Sequence, residues 1–425
     1  MLHPKIELKH LLLPSIPEIT RNIVESSCTK LLYNLNNLIS YILTLSNLKE
    51  NDKIKITATL ENIKQLDNEN LFKFLSSPIF RGWYYKFGLV REYTCNDKFF
   101  NKQIKFWNNF TNSFYYNEKI DCSFEVINEV CFSWDSLILI KTKKNSSLYI
   151  KKCDEVIEIK NDENKKILLS FKINKSDDSY SIITQTDKEV ELVLPKLYLK
   201  NSKIAVRNDI PTLKLKLSGN LDRENAISNE LDFSKENYGT QFSESDFLTA
   251  SKLIEEYWNP EYLDFKETLQ IVIPREVPFG WRARGMTVSA YQGAIWIMAK
   301  GLLPVFENLI HEQGHVKLRY IEEFCPILEE GQSEKRFNVA WRSDPRPLIG
   351  IYEGVYVHMH MLMGLTILFE NKIAEIPQDV LFERVEHLRN EVSAGLEILC
   401  KNALFTTQGT YFVEWAKSML DEVPI

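Results

Sequence analysis

The segment Pro304-Val305-Phe306-Glu307-Asn308-Leu309-Ile310-His311-Glu312-Gln313-Gly314-His315-Val316-Lys317-Leu318-Arg319-Tyr320-Ile321 carries apolar residues at helical spacing: Val305, Phe306, Leu309, Ile310, Val316, Leu318 and Ile321. Pro304 suits a first helical turn, where its missing N–H leaves nothing unpaired, and Pro326 marks a stop. Inside the helix lies His311-Glu312-Gln313-Gly314-His315, an H-E-x-x-H run. Its i, i+4 spacing puts both imidazoles on one face, one turn apart, where they can hold a metal ion with the Glu312 carboxylate beside them. Gly314 in mid-helix costs roughly 1 kcal/mol relative to alanine, which predicts another element packed closely against it.

Outward from that helix, the 425 residues provide material for two or three cores. A net charge of −6 gives no basic footprint, which argues against nucleic acid and anionic membrane as partners. Met1 to Glu18 lacks a signal-like apolar core, and no run of eighteen apolar residues follows, so a soluble cytoplasmic protein is expected. Gly354 to Phe369 is too short to span a bilayer and carries His358 and His360, so it reads as a buried helix. The seven cysteines are scattered without a C-x-x-C pair, as reduced packing residues would be.

The fold class expected is α+β, in three regions. Residues 1–120 read as helical, with long apolar patterns over Ile16 to Leu48 and Leu71 to Tyr93. Residues 121–245 read as a mostly antiparallel β-rich region, with strands at Ser136 to Lys141, Ser147 to Ile150, Lys166 to Lys172, Tyr180 to Thr184 and Glu189 to Leu194. Its turns fall at Asn161 to Asn164 and Lys175 to Asp178, and it ends in a polar loop over 218–245. Residues 246–425 hold the metal-binding part: a helix at Phe247 to Tyr257, strands at Leu269 to Ile273 and Met286 to Met298, then the H-E-x-x-H helix. A strand leading into that helix is similar to the arrangement of zincin-like domains, which implies a zincin-like helical metal domain at the C-terminus.

Two histidines make an incomplete catalytic site, since a third protein ligand and an open position are normally required. Pro347 starts a helix that is apolar nearly all round, in which Glu353 stands among Ile351, Tyr352, Val355 and Tyr356. A buried carboxylate must be paired or bound to a metal, so Glu353 is the first choice for third ligand. His360 lies on the same stripe and His358 is turned away from it, and either can replace Glu353 or support it. Tyr356 is a candidate catalytic hydroxyl. Arg342, Asp344 and Arg346 precede this helix, and their guanidinium groups suit a bidentate clamp on an anion. Arg282 and Arg284 are weaker candidates for that role.

These blocks resemble a family of H-E-x-x-H proteins encoded beside ribosomally synthesised peptide natural products, alone or fused to radical-SAM maturases. The resemblance rests on Trp341-Arg342, on Asp344-Pro345-Arg346-Pro347-Leu348 and on Gly350-Ile351-Tyr352-Glu353-Gly354-Val355-Tyr356, within about residues 265–370. Glu353 stands where His or Gln is frequent in the family. The resemblance implies a cytoplasmic iron(II)- and 2-oxoglutarate-dependent oxygenase that uses O2 to hydroxylate a β-carbon in a precursor peptide of leader and core. His311, His315 and Glu353 would then be metal ligands. Arg346 or Arg342 would pair with the distal carboxylate of 2-oxoglutarate, with Ser289 and Tyr291 as hydroxyl donors on the neighbouring strand. Glu312 would orient a ligand or a bound water.

The competing expectation is a zinc metallopeptidase or amide hydrolase, because H-E-x-x-H is most often a zinc protease signature. There Glu312 would take a proton from the metal-bound water and Tyr356 or a histidine would stabilise the oxyanion. The Asp-Pro-Arg-Pro block favours the oxygenase, since a 2-oxo acid clamp uses its arginine and a protease mechanism does not. The N-terminal and β-rich regions carry no catalytic constellation, and are expected to hold the peptide, its leader by strand addition.

Overall fold

The computed structural model describes residues 8–12, 17–44, 49–64, 66–88, 121–126, 129–132, 138–142, 146–153, 156–161, 166–174, 179–185, 190–210, 213, 241–275, 285–332, 334–342 and 344–423. Arg282, Arg284, the Lys175 to Asp178 turn and most of the polar 218–245 segment lie outside them. Two compact units divide the chain. Residues 30–196 and 209–236 form one, and residues 1–29, 197–208 and 237–425 form the other.

The N-terminal helices are α1 (Lys9–Leu12), α2 (Pro17–Leu43), α3 (Glu50–Lys64), α4 (Asn68–Ser76) and α5 (Pro78–Gly88). The Leu71 to Tyr93 stretch, expected to be helical, is divided between α4 and α5, where Pro78 takes the first position of a new helix. Phe74 and Phe80 close over that break with ring centroids 4.2 Å apart.

Eight strands follow: β1 (Asp121–Val126), β2 (Glu129–Phe132), β3 (Ile138–Thr142), β4 (Ser146–Cys153), β5 (Val156–Asn161), β6 (Ile167–Asn174), β7 (Ser179–Gln185) and β8 (Val190–Val193). They form two antiparallel sheets, in the orders β1-β4-β5-β6-β7 and β2-β3-β8, instead of one. The five expected strands are all present. Of those not anticipated, β5 alternates cleanly: Ile159 is buried, while Glu158 and Lys160 share the other face and pair at 2.8 Å.

The second unit is built on a mixed sheet. Its strands are β9 (Leu197–Tyr198), β10 (Ala205–Val206), β11 (Ile271–Arg275), β12 (Met286–Thr287) and β13 (Ala294–Met298), in the order β12-β13-β11-β10-β9. β13, β11 and β10 run parallel, and the two outer strands are antiparallel to their neighbours. Helices α6 (Glu244–Tyr257) and α7 (Asn259–Thr268) precede β11, and α8 (Leu302–Glu322) follows β13. The Met286 to Met298 stretch expected as one strand is a hairpin. A 3-10 turn over Ser289–Tyr291 and Gly293 at φ 99° fold it back, so Met286 pairs with Trp296. Gly301, at φ 94°, caps α8, which begins at Leu302, two residues before Pro304.

The short ribbon β14 (Arg336–Phe337) and β15 (Arg346–Pro347) then leads into α9 (Leu348–Glu370), α10 (Gln378–Asn402) and α11 (Thr407–Glu422). α9 packs against both α8 and α10 and is buried over most of its length, as its unbroken apolar sequence requires.

These units cut the chain differently from the three sequence regions. β9 and β10 extend the edge of β11, and Leu8, Leu11 and Leu12 are fully buried. Thr20 Oγ1 donates to Asp264 Oδ1 at 2.6 Å, and Asp264 Oδ2 accepts from Lys317 Nζ at 2.6 Å. Both pairings are remote in sequence and leave no local pattern. Among the described residues, no helix is long and apolar enough to cross a membrane.

Candidate metal centre

α8 presents His311 and His315 on one face with ring centroids 5.0 Å apart, and α9 places the His358 ring 5.5 Å from that of His311. Among the described residues, no three His, Cys, Asp or Glu side chains are arranged to hold a metal ion.

The close approach that brings α9 to α8 depends on glycine. A Cβ at Gly314 would lie 3.2 Å from Val357 Cγ1, which accounts for the mid-helix glycine. Trp341 sets the far side of the site. Its indole lies over Gly354 of α9 and Gly395 of α10, where added Cβ atoms would come within 2.9 Å and 2.6 Å of it. The same indole meets the His358 ring edge-on at 5.1 Å, so a slot cut by two glycines fixes the wall against which His358 rests.

The electrostatics favour neutral imidazoles. Burial, with the nearby Arg384 and Arg342 guanidinium groups, lowers His311 to about 4. Burial and neighbouring cationic groups hold His358 well below the usual histidine value. Neutral imidazole is the metal-binding form, and His358 Nδ1 makes no hydrogen bond, lying 3.5 Å from Glu391 Oε2. His311 Nδ1 lies 3.2 Å from Met361 Sδ. Imidazole nitrogen is a donor type that transition metals take, and the Arg384 and Arg342 guanidinium groups lie near His311.

Glu353 is buried as expected, but it is not an isolated charge. Arg319 Nη2 meets its Oε1 at 2.8 Å, and Arg319 Nη1 pairs with Glu322 Oε2 at 2.7 Å. The reason for choosing Glu353 as third ligand was the need for a partner, and Arg319, one turn beyond His315, supplies it. His360 lies in the core. Its Nε2 is 3.0 Å from the Leu12 carbonyl, its Nδ1 is 3.4 Å from Glu261, and its ring packs against Tyr356 and Trp415. Tyr356 shares that core, fully buried against His360 and Trp415, on a different side of α9 from His358. Burial, with Glu261 and Asp264 nearby, raises its phenol well above the usual value.

Glu312 is buried beside the edge hairpin and accepts a 2.7 Å hydrogen bond from Thr287 Oγ1. Burial raises it to about 7 against the lowering effect of Thr287 and Arg275. Gly285 lies against it, where a Cβ would collide with the carboxylate.

Arg342 and Arg346 both pair with Asp344, at 3.2 Å and 3.4 Å. Arg342, through its effect on His311, is the one whose charge reaches the histidines. Ser289 and Tyr291 sit in the 3-10 turn and not on a strand; Ser289 is exposed and Tyr291 is buried edge-on against Trp296. Sequence reasoning did not identify Arg384, Glu391 or the seat of Trp341. Only Glu391 had a local signal, at i+4 from His387 on α10. No protein-family model matches the chain, and no curated protein is similar to it.

Proposed function

We propose that this protein is an iron(II)- and 2-oxoglutarate-dependent oxygenase that hydroxylates a β-carbon in a ribosomally synthesised precursor peptide. The observation that carries this is the grouping of the His311, His315 and His358 rings from two helices, with the guanidinium groups of Arg342 and Arg384 near His311. His311, His315 and His358 would hold the metal, and three protein ligands leave positions for a bidentate 2-oxo acid and O2. Iron, when bound, supplies the oxidative decarboxylation of the 2-oxo acid that drives hydrogen abstraction from the peptide. The parallel core strands, outer antiparallel hairpin and following H-E-x-x-H helix support a zincin-like reading of this unit.

The residues of the chain bind, orient and exclude water. Arg342 and Arg346, each making one contact to Asp344, would bind the distal carboxylate of 2-oxoglutarate. Ser289, exposed in the turn after β12, would donate a hydroxyl to the cosubstrate. Trp341 and Met361 supply an apolar wall around the histidines, which keeps bulk water from the reacting carbon. The outer strands β1 and β7 of the five-stranded sheet offer edges to which a leader peptide can add as a strand.

A second reading, zinc-dependent hydrolysis, is favoured by Glu312, since a carboxyl near 7 suits a general base. One experiment separates the two. The protein is incubated with Fe(II), 2-oxoglutarate, O2 and the precursor peptide encoded beside it. The oxygenase yields succinate and a peptide heavier by one oxygen, about 16 Da, in equal amounts. Peptide cleavage with zinc, lost in Glu312→Gln, would instead establish the hydrolase.

A further inference from the structure

We propose that α1, with Leu8 before it, is a strap that opens as a local unit and, in opening, admits water to a buried polar cluster centred on Glu261 and His360. The strap is independent of any reaction assigned to the protein.

α1 has four residues, too few for a helix to persist by itself in water. What holds it is tertiary. Leu8, Leu11 and Leu12 are fully buried, and α1 packs against α11. The Leu12 carbonyl lies 3.0 Å from His360 Nε2. A carbonyl only accepts, so this ring nitrogen carries a proton and donates it, which makes His360 the polar latch of the strap. Burial of leucine side chains and one latch are set against the conformational freedom that the segment gives up, and these are opposing quantities of similar size.

The cluster beneath the strap tips that balance toward opening. Both Glu261 carboxylate oxygens, His360 Nδ1, the Tyr356 hydroxyl and Trp415 Nε1 are buried and have no hydrogen-bond partner among the described residues. They are neighbours. His360 Nδ1 is 3.4 Å from Glu261 Oε2, and the His360 ring lies 4.5 Å from that of Tyr356 and 6.0 Å from that of Trp415. Trp415 belongs to α11, the helix on which α1 packs. Water satisfies such groups when they are exposed, and burial without partners forfeits those bonds. Apolar burial therefore closes the strap while hydration of the cluster favours the open form, so α1 is a two-state element.

The opening has a boundary. Asp264, one turn beyond Glu261 on α7, has partners for both oxygens in Thr20 of α2 and Lys317 of α8. α2 is thus pinned where α1 is not. His360 is about 200° round α9 from His358, so the strap covers the face of α9 turned away from the His311, His315 and His358 rings.

The test is native-state deuterium exchange on the full chain, read by mass spectrometry. Backbone amides of residues 8–12 report the strap, the slow exchange of the imidazole C2 hydrogen of His360 reports the cluster, and the amides of β11 report global unfolding. Wild type is compared with Leu11→Ala and Leu8→Ala. The expected result is that residues 8–12 and His360 exchange through an opening that leaves β11 protected. Each substitution should speed both by a common factor, roughly ten- to a hundredfold, with β11 unchanged. Exchange of residues 8–12 or of His360 only at the rate of β11 would overturn the proposal, since the segment would then open only with the whole fold. Faster exchange of residues 8–12 with His360 unchanged would overturn it too, because the strap would not be the cover of the cluster.

Discussion

Glu353 and His358 lie five residues apart on α9, and one has a full complement of partners while the other does not. Glu353 is held by Arg319, so its removal is a loss of structure: Glu353→Gln is predicted to destabilise the fold by about 2 kcal/mol in urea titrations, below the usual figure for a broken buried pair because Arg319 keeps Glu322. Its metal affinity should be unaffected. The sequence showed that a carboxylate surrounded by apolar residues needs a partner, and that much is correct. It could not show which, because Arg319 belongs to another helix, thirty-four positions earlier. His358 was read as turned away from the Glu353 stripe; only the packing of α9 against α8 reveals that its ring lies beside His311.

At the scale of the element, the H-E-x-x-H helix is legible almost residue by residue, since its apolar spacing, its punctuating prolines and its mid-helix glycine are all local signals. Its supports are not. Asp264 and Lys317, each about 1% exposed, join α7 to α8, with Thr20 of α2 on the other carboxylate oxygen. Asp264→Ala leaves Lys317 buried without that partner and should cost about 3–5 kcal/mol, measured as a shifted denaturation midpoint. The Trp341 seat makes a second prediction. Gly395→Ala places a methyl against both the indole and Val355, an overpacking that should cost about 1–3 kcal/mol and change tryptophan fluorescence. A stability equal to wild type would mean that Trp341 is not wedged between α9 and α10. The hairpin from Met286 to Met298 was misread as one strand because both arms are apolar and only Gly293 marks the reversal.

For the whole molecule, the unit that carries the histidines is not a continuous C-terminal piece. It includes residues 1–29 and 197–208, joined to it by the buried Leu8, Leu11 and Leu12, by the Leu12 carbonyl at His360, and by β9 and β10 on the sheet edge. Composition and strand texture divide the sequence at about 120 and 245, and such boundaries record local character, not long-range pairing. A fragment of residues 241–425 is accordingly predicted to lack a cooperative thermal transition, whereas a full chain cut within 218–236 should retain one; a fragment as stable as the full chain would refute this assignment.

The most direct test of the central claim is an equilibrium Fe(II) titration, under anaerobic conditions, of wild type, His311→Ala, His315→Ala, His358→Ala and Glu353→Gln. The account predicts at least a tenfold loss of affinity in each of the three histidine variants and wild-type affinity in Glu353→Gln. Wild-type affinity in His358→Ala together with loss in Glu353→Gln would contradict it, and would return the third ligand to the carboxylate.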